Sequence, residues 1–146
     1  MRWLLKPTTG FAPVAGPLLQ TLSEAGQFID SWRAQLLQSG WLATGRPYYF
    51  LARGGSLGSC YEAQLLWQEG VKQPASAMTT SAFRHVPQEV VREGMRFGLW
   101  IDQTQMREQD LSVARDLRKL GASVLLIGER LPQDAADLVC GFRFRP

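Results

Sequence analysis

Four short apolar runs constrain what this chain can fold into more than any other feature. They lie at residues 48–52, 97–101, 123–128 and 138–144. The runs are rich in aromatic or branched apolar residues and are bounded by glycine, proline or aspartate, which is typical of strands. Three of them are nearly continuous in apolar residues, as strands are when helices cover both faces of a parallel sheet. The sequence therefore predicts a parallel sheet between two layers of helices.

Helix-length segments lie between these runs, so strands and helices alternate along the chain. The segments are 58–72, 87–94 and 105–120. The glycine at position 121 is typical of a residue that follows a helix C-terminus. A further strand is predicted at 75–80. This order indicates an α/β fold of three layers, a flavodoxin-like parallel-sheet sandwich.

The first part of the chain has a different pattern. Residues 1–16 carry two prolines and two glycines among apolar residues, which predicts an irregular arm. From residue 17 to residue 39, apolar residues recur every three or four positions, which predicts an amphipathic helix. Its apolar face consists of Leu18, Leu22, Ala25, Ile29, Trp32 and Leu36. We expect one domain over residues 17–146, with its sheet core at 47–144.

The composition is that of a globular protein and argues against several functions. The chain has 146 residues and a net charge of +3 without a basic cluster, so we expect no nucleic-acid partner. Prolines interrupt the apolar start of the chain before it reaches the length of a signal peptide or membrane span, which indicates a cytoplasmic protein without a membrane partner. The two cysteines, Cys60 and Cys140, lack metal-binding spacing, so no zinc site is expected.

The loop after the first strand is a candidate ligand site. Ligands of open α/β sheets bind at the carboxyl ends of the strands, where helices begin. The segment ARGGSLGS, residues 52–59, offers glycines for close backbone approach, two serine hydroxyls and a helix N-terminus that favours anions. The predicted contacts are Arg53, Gly54, Gly55, Ser56 and Ser59. Glycine-rich turns of this kind also occur without a ligand, and the segment matches neither GxxxxGK[ST] nor GxGxxG.

The helix after this loop carries two acids on one side. Glu62 and Glu69 are seven residues apart, which places them two turns apart on the same face. For such a pair taken alone, a solvated helix face is the more common explanation. Glu69 is followed after sixteen positions by His85, the only histidine of the chain. The predicted strand between them carries the chain back past the end of the helix.

Two segments together resemble a known family. Residues 50–70, FLARGGSLGSCYEAQLLWQEG, and residues 81–87, SAFRHVP, are similar to the second sugar-isomerase (SIS) domain of the tandem SIS proteins. That group contains glucosamine-6-phosphate synthase and the sugar-phosphate deaminases and deglycases. The same series of elements occurs here in the same order over residues 48–144, and the interval from Glu69 to His85 agrees with the family.

The resemblance implies a phosphosugar ligand and a role for several residues. Glu69 falls on the family's catalytic base, which moves a proton between neighbouring sugar carbons, and His85 falls on the histidine associated with ring opening. Glu62 matches the acid two turns before the base, and Arg84 is an anchor for an anionic group. In the family the histidine reaches its site from a neighbouring subunit. This chemistry requires neither a metal nor another cofactor.

The sequence also departs from the family pattern. Ala82 replaces an acid, Val86 replaces a glycine, and Leu66 and Gln68 replace lysines. No serine- and threonine-rich phosphate loop precedes residue 48, and the chain ends soon after the last predicted strand. From the resemblance we expect a domain truncated after its last strand, the C-terminal half of a tandem isomerase, deaminase or deglycase.

Two functions therefore remain open. In one, the chain is half of an enzyme and acts with a partner SIS domain or as a homodimer. In the other, it is a non-catalytic SIS module that binds a phosphosugar or mediates assembly. Apolar residues of the arm and first helix, at 3–37, predict self-association in both cases.

Overall fold

The computed structural model describes residues 12–43, 45–85 and 87–142. The helices are α1 (Ala12–Ser39), α2 (Leu57–Leu66), α3 (Thr80–His85) and α4 (Arg107–Lys119). The strands are β1 (Tyr48–Ala52), β2 (Ala75–Thr79), β3 (Arg96–Ile101), β4 (Ser123–Gly128) and β5 (Leu138–Gly141). Within these ranges, every helix is too short or too polar to cross a membrane.

All five strands pair in parallel, in the order β2-β1-β3-β4-β5. The predicted α/β fold is therefore confirmed. Strand β1 lies between β2 and β3, with Tyr48 in register with both Ala75 and Arg96. The connection from β1 leads to β2 on one side of β1, and the connection from β2 leads back across to β3 on the other side of β1. This reversal creates a crevice at the carboxyl ends of β1 and β3, where doubly wound sheets bind ligands.

Helices cover both faces of the sheet, as the apolar runs predict. One face packs against α3 and α4 and buries Phe83, Phe97 and Leu117. The other face packs against α2 and the end of α1 and buries Tyr48 and Cys60. Each fully buried apolar side chain contributes roughly 1.5–3 kcal/mol to folding. These two clusters fix the strand ends that carry the candidate site.

Helix α1 begins earlier than the sequence pattern predicts. It starts at Ala12, so residues 12–16 of the predicted irregular arm are helical. Pro13 falls in the first turn, where proline is tolerated because the backbone N–H has no intrahelical acceptor. The prediction that proline and glycine end regular structure before residue 17 is therefore wrong for this stretch. The rest of the predicted arm, residues 1–11, lies outside the described residues.

Only part of the predicted apolar face of α1 packs against the sheet. Trp32 and Leu36 contact the cluster under α2, and Trp32 Nε1 donates a hydrogen bond to the carbonyl of Gly141 at 3.1 Å. Leu22 and Ile29 belong to the same predicted face but are 59% and 57% exposed. The C-terminal half of α1 is therefore anchored to β5, while apolar surface remains uncovered.

Three further predicted boundaries differ from the structure. The predicted helix at 87–94 is wrong, because only Pro87–Val90 forms a single 3-10 turn. Helix α3 lies before it, where no helix was expected. The last strand covers Leu138–Gly141 and does not include Phe142, and residues 143 and 144 of the predicted strand lie outside the described residues. The predicted helix at 58–72 begins at Leu57 and changes to a π-helical turn at Trp67–Val71.

Candidate functional site

The glycine loop after β1 lies at the crevice between β1 and β3. Gly54–Ser56 forms a 3-10 turn that leads directly into α2. Gly54 has a φ of +60°, a left-handed conformation in which glycine carries no steric cost, and a Cβ there would lie 3.6 Å from Asp102 Oδ2. Asp102 follows the last residue of β3. The loop therefore passes directly beside a carboxylate of the neighbouring strand.

This carboxylate is engaged by the loop itself. The Ser56 hydroxyl donates a hydrogen bond to Asp102 Oδ1, and the backbone N–H of Thr104 donates to the Asp102 carbonyl at 3.0 Å. Ser56 and Asp102 are both half-buried. The pair joins the ends of β1 and β3 and leaves an acidic group in the crevice.

Arg53 is held by a second carboxylate. Its guanidinium donates hydrogen bonds to Asp110 of α4 at 2.9–3.2 Å. Asp110 is only 2% exposed, and this hydrogen bonding raises the pKa of Arg53. The positive charge of Arg53 is therefore already compensated within the chain.

The charges at the carboxyl ends of β1 and β3 therefore differ from those of the anion site that the sequence predicts. With Arg53 paired and Asp102 beside Gly54, side-chain charge gives a phosphate no net attraction at this loop. Gly55 and Ser59 are exposed, and the backbone N–H groups at the start of α2 remain the feature that favours an anion. Substrate binding by these residues stays a prediction.

Glu69 lies near the amino ends of β1 and β2, away from the glycine loop, in an unusual backbone segment. The π-helical turn Trp67–Val71 carries it, and Lys72 follows with a φ of +57°, which is uncommon for a residue with a side chain. Gln68 Nε2 donates to the carbonyl of Ala75 at 2.9 Å and so attaches the turn to the start of β2. Glu69 is exposed and makes no hydrogen bond or ion pair with any residue in the described ranges. Its carboxylate is therefore available to a ligand.

Aromatic packing fixes this turn against the sheet. The ring centroids of Trp67 and Tyr48 are 4.1 Å apart, and Trp67 also contacts Trp41 at 6.1 Å. Since Tyr48 begins β1, the turn that carries Glu69 lies over the amino ends of β1 and β2. Glu62, one of the two predicted acids, is exposed on α2.

His85 is the last residue of α3, beyond the carboxyl end of β2. Phe83 anchors this helix in the core, with its ring centroid 5.3 Å from that of Phe97. Arg84 and His85 are exposed, and Arg84 Nη2 donates to the Ser112 hydroxyl at 3.4 Å. The helix therefore presents a basic end to the surface.

The chain does not bring Glu69 and His85 together. They lie at opposite ends of β2, which spans about 16 Å at ~3.3 Å per residue. They also belong to helical segments on opposite faces of the sheet, because Trp67 and Phe83 pack in different core clusters. A site that uses both residues needs two chains.

Sequence reasoning missed Asp102 and Asp110. Asp102 directly follows an apolar run, so its position at the carboxyl edge could have been recognised. Asp110 shares a helical spacing with Val113 and Leu117, both buried in α4. A carboxylate on the buried side of a helix requires a cation or hydrogen-bond donors. The helical spacing therefore indicates that Asp110 has a partner such as Arg53.

No protein-family model matches the sequence, and no curated protein matches it significantly. Several solved structures have the same fold. The C-terminal domain of glucosamine-fructose-6-phosphate aminotransferase from Francisella tularensis superposes with a TM-score of 0.74 at 17% identity, over 87% of this chain and 37% of that chain. Tagatose-6-phosphate ketose/aldose isomerase from Escherichia coli has a TM-score of 0.60 at 21% identity, over 87% and 36%.

A third similar structure is glucosamine-6-phosphate deaminase from Thermotoga maritima, with a TM-score of 0.62 at 22% identity, over 83% of this chain and 37% of that chain. The present chain therefore spans little more than a third of the length of these proteins. The family resemblance in the sequence is confirmed at the level of the fold. The chain has the α/β fold of the SIS domains of phosphosugar isomerases.

Proposed function

We propose that this chain is a phosphosugar-binding SIS domain that contributes to aldose–ketose type proton transfer. Three lines support the proposal: the fold, the sequence elements around Glu69 and His85, and the names of the similar structures. Each of the three proteins described above is named for a sugar 6-phosphate. The site would form where this domain meets a second SIS domain, as a homodimer or as half of a tandem protein.

The environment of Glu69 is the single observation that carries the proposal. The family's base position falls on an exposed carboxylate in a π-helical turn, and such turns occur frequently at functional sites. The left-handed residue Lys72 directly follows the turn, and backbone of this kind persists where the surroundings hold it. Trp67 and Gln68 attach this turn to the sheet, and the exposed Glu69 carboxylate is free to reach a carbon acid of a bound sugar.

In the proposed reaction, the Glu69 carboxylate takes a proton from the carbon next to the sugar carbonyl. The electron pair of that C–H bond forms the C=C bond of an enediolate, while the carbonyl electrons move onto the carbonyl oxygen. A proton passes from the neighbouring hydroxyl to that oxygen, and the carboxylic acid returns its proton to the former carbonyl carbon as the new carbonyl forms. The imidazole of His85 exchanges a proton with the ring oxygen when the sugar opens. Because the two residues lie at opposite ends of β2, His85 would act in the site of another chain.

A second candidate function is a non-catalytic module that binds a phosphosugar or mediates assembly. The observation in its favour is Ala82, which stands where the family has an acid and is exposed on α3. A module of this kind would bind the phosphosugar without turnover.

Two measurements together distinguish these functions. One is calorimetric titration with fructose 6-phosphate, fructosamine phosphate and unphosphorylated fructose, and the other is analysis of the mixture for product. The titration is done with a partner SIS domain supplied. The catalytic proposal predicts binding of the phosphorylated sugars and product formation. Binding without product supports the second function. Equal binding of fructose and its phosphate contradicts both.

A further inference from the structure

A cavity lies at the amino ends of β1 and β2, on the same end of the sheet as Glu69. It has a volume of about 280 Å³ and is lined by Gly45, Arg46, Pro47, Gln73 and Pro74. Pro74 directly precedes Ala75, whose carbonyl accepts the hydrogen bond from Gln68. Because Glu69 follows Gln68, the turn that carries the proposed base is attached to the wall of this cavity.

Arg46 brings a cationic group to this cavity. Its side chain lies over Gly94, where a Cβ would be 3.4 Å from Arg46 Nε, so the glycine leaves room for the guanidinium. Arg46 is exposed and makes no ion pair with any residue in the described ranges. Glu93, which precedes Gly94, lies against Gly121 instead. The guanidinium of Arg46 is therefore free to bind an anion.

A second arginine without an acidic partner lies nearby. Arg96 begins β3, two residues after Gly94, and its guanidinium lies over the ring of Tyr48, 5.5 Å from the ring centroid. Its Nη2 donates to the carbonyl of Gly40 at 3.5 Å, but its Nη1 is buried without a hydrogen-bond acceptor in the part of the chain that is described. A buried charge of this kind is normally paired. Its positive charge therefore adds to that of Arg46.

The two ends of β1 thus differ in charge. At the carboxyl end, Arg53 is compensated by Asp110, and Asp102 adds a carboxylate beside the glycine loop. At the amino end, Arg46 and Arg96 have no ion-pair partner among the described residues. Side-chain charge therefore attracts a phosphate to the amino ends of the strands.

We propose that Arg46 and the side-chain amide of Gln73 bind the phosphate group of the sugar whose carbon Glu69 deprotonates. This inference rests on the proposed function, and it places the phosphate away from the glycine loop. The forked guanidinium of Arg46 donates to two phosphate oxygens, and the Gln73 amide donates to a third. Arg46 lies two residues before Tyr48, about 7 Å along the chain, and the Glu69 turn packs on Tyr48. A sugar 6-phosphate carries its phosphate at the end remote from the reacting carbons, so it needs a base and an anion subsite that are close but separate.

Calorimetric titration of the full 146-residue chain with inorganic phosphate, fructose 6-phosphate and fructose tests this subsite, with a partner SIS domain supplied. Arg46→Gln is expected to raise the dissociation constants of phosphate and fructose 6-phosphate about tenfold and to leave that of fructose unchanged. Arg46→Lys keeps the charge but loses the forked donors, so a rise of about threefold is expected. Arg33→Gln removes the same charge from an exposed position on α1. It is the control and should leave all three dissociation constants unchanged.

Gly55→Asp tests the glycine loop as the alternative place for the phosphate. A side chain fits there, because no atom outside the neighbouring backbone lies within 4 Å of the added Cβ. The new carboxylate would repel a phosphate at the loop, so Gly55→Asp should weaken phosphate binding less than Arg46→Gln does.

The outcomes separate this inference from the proposed function. Phosphate binding that Gly55→Asp weakens and Arg46→Gln does not would overturn the inference and leave the proposed function intact. Phosphate binding that Arg46→Gln weakens, in a chain that forms no product from fructose 6-phosphate, would support the subsite and contradict the catalytic proposal. A wild-type chain that binds neither inorganic phosphate nor fructose 6-phosphate would overturn the subsite.

Discussion

Arg53 at the end of β1 donates hydrogen bonds to Asp110 of α4 at 2.9–3.2 Å, although only 3% of the Asp110 side chain is exposed. The pair crosses from the sheet to the helix that covers it. It therefore fixes the loop at the carboxyl edge, and it explains why an arginine in a glycine-rich loop is not free to bind an anion.

The two halves of this ion pair should differ in their effect on stability. Arg53→Ala leaves a buried carboxylate without a partner and is expected to cost about 3 kcal/mol of the free energy of unfolding. Asp110→Ala should cost less, about 1–2 kcal/mol, because the partly exposed Arg53 can turn to water. Urea unfolding of both single variants and the double variant measures this. A double variant whose loss equals the sum of the single losses would show that the residues are not coupled.

Close approach of the strand ends makes Gly128 sensitive to substitution. A Cβ at Gly128 would lie 2.6 Å from the carbonyl oxygen of Ile101, the last residue of β3. We expect Gly128→Ala to lower the free energy of unfolding by about 2–3 kcal/mol, since backbone must move to relieve the contact. Gly58→Ala is the matched control, because no atom outside the local helix backbone lies within 4 Å of the added Cβ. It should raise stability by about 0.5–1 kcal/mol. Similar effects of the two substitutions in thermal unfolding would contradict the close approach.

The two thiols make stability depend on alkaline pH. Burial raises the pKa of Cys60 and of Cys140 to about 11, from an ordinary value of 9.0. Above pH 9 the unfolded chain loses these protons while the folded chain keeps them, so stability falls as the pH rises from about 9 to about 11. Cys140→Ala should reduce this fall by about 2 kcal/mol. Urea unfolding at the two pH values measures the difference, and an equal fall in variant and wild type would contradict it.

Strands were the most predictable part of this fold. The apolar runs at β1 and β4 gave both boundaries correctly, because a strand buried on both faces has few polar residues that blur its ends. The prediction of a helix at 87–94 failed. That prediction rested on the length of the segment between two apolar runs, and a 3-10 turn followed by a loop at residues 91–94 satisfies this criterion equally well.

The candidate site was less predictable, because charge compensation is a tertiary property. In sequence, a glycine loop with an arginine is typical of an anion site. The pairing of this arginine with Asp110, more than fifty residues later in the chain, is seen only in the structure. The positions of Glu69 and His85 were available from the sequence. Their separation by β2 and by the sheet was not, because it depends on which face each helical segment covers.

The most direct test of the central claim is solvent deuterium uptake into fructose 6-phosphate by mixed variants, with a partner SIS domain supplied. Glu69→Gln and His85→Ala should each lose exchange at the carbon next to the carbonyl, because one lacks the base and the other the ring-opening group. An equimolar mixture of the two variants should regain about a quarter of the wild-type rate, since half of the dimers are mixed and each of those has one intact site. Uptake that Glu69→Gln leaves unchanged would contradict the assignment of Glu69 as the base. Loss in both variants without recovery in the mixture would contradict a site shared between chains.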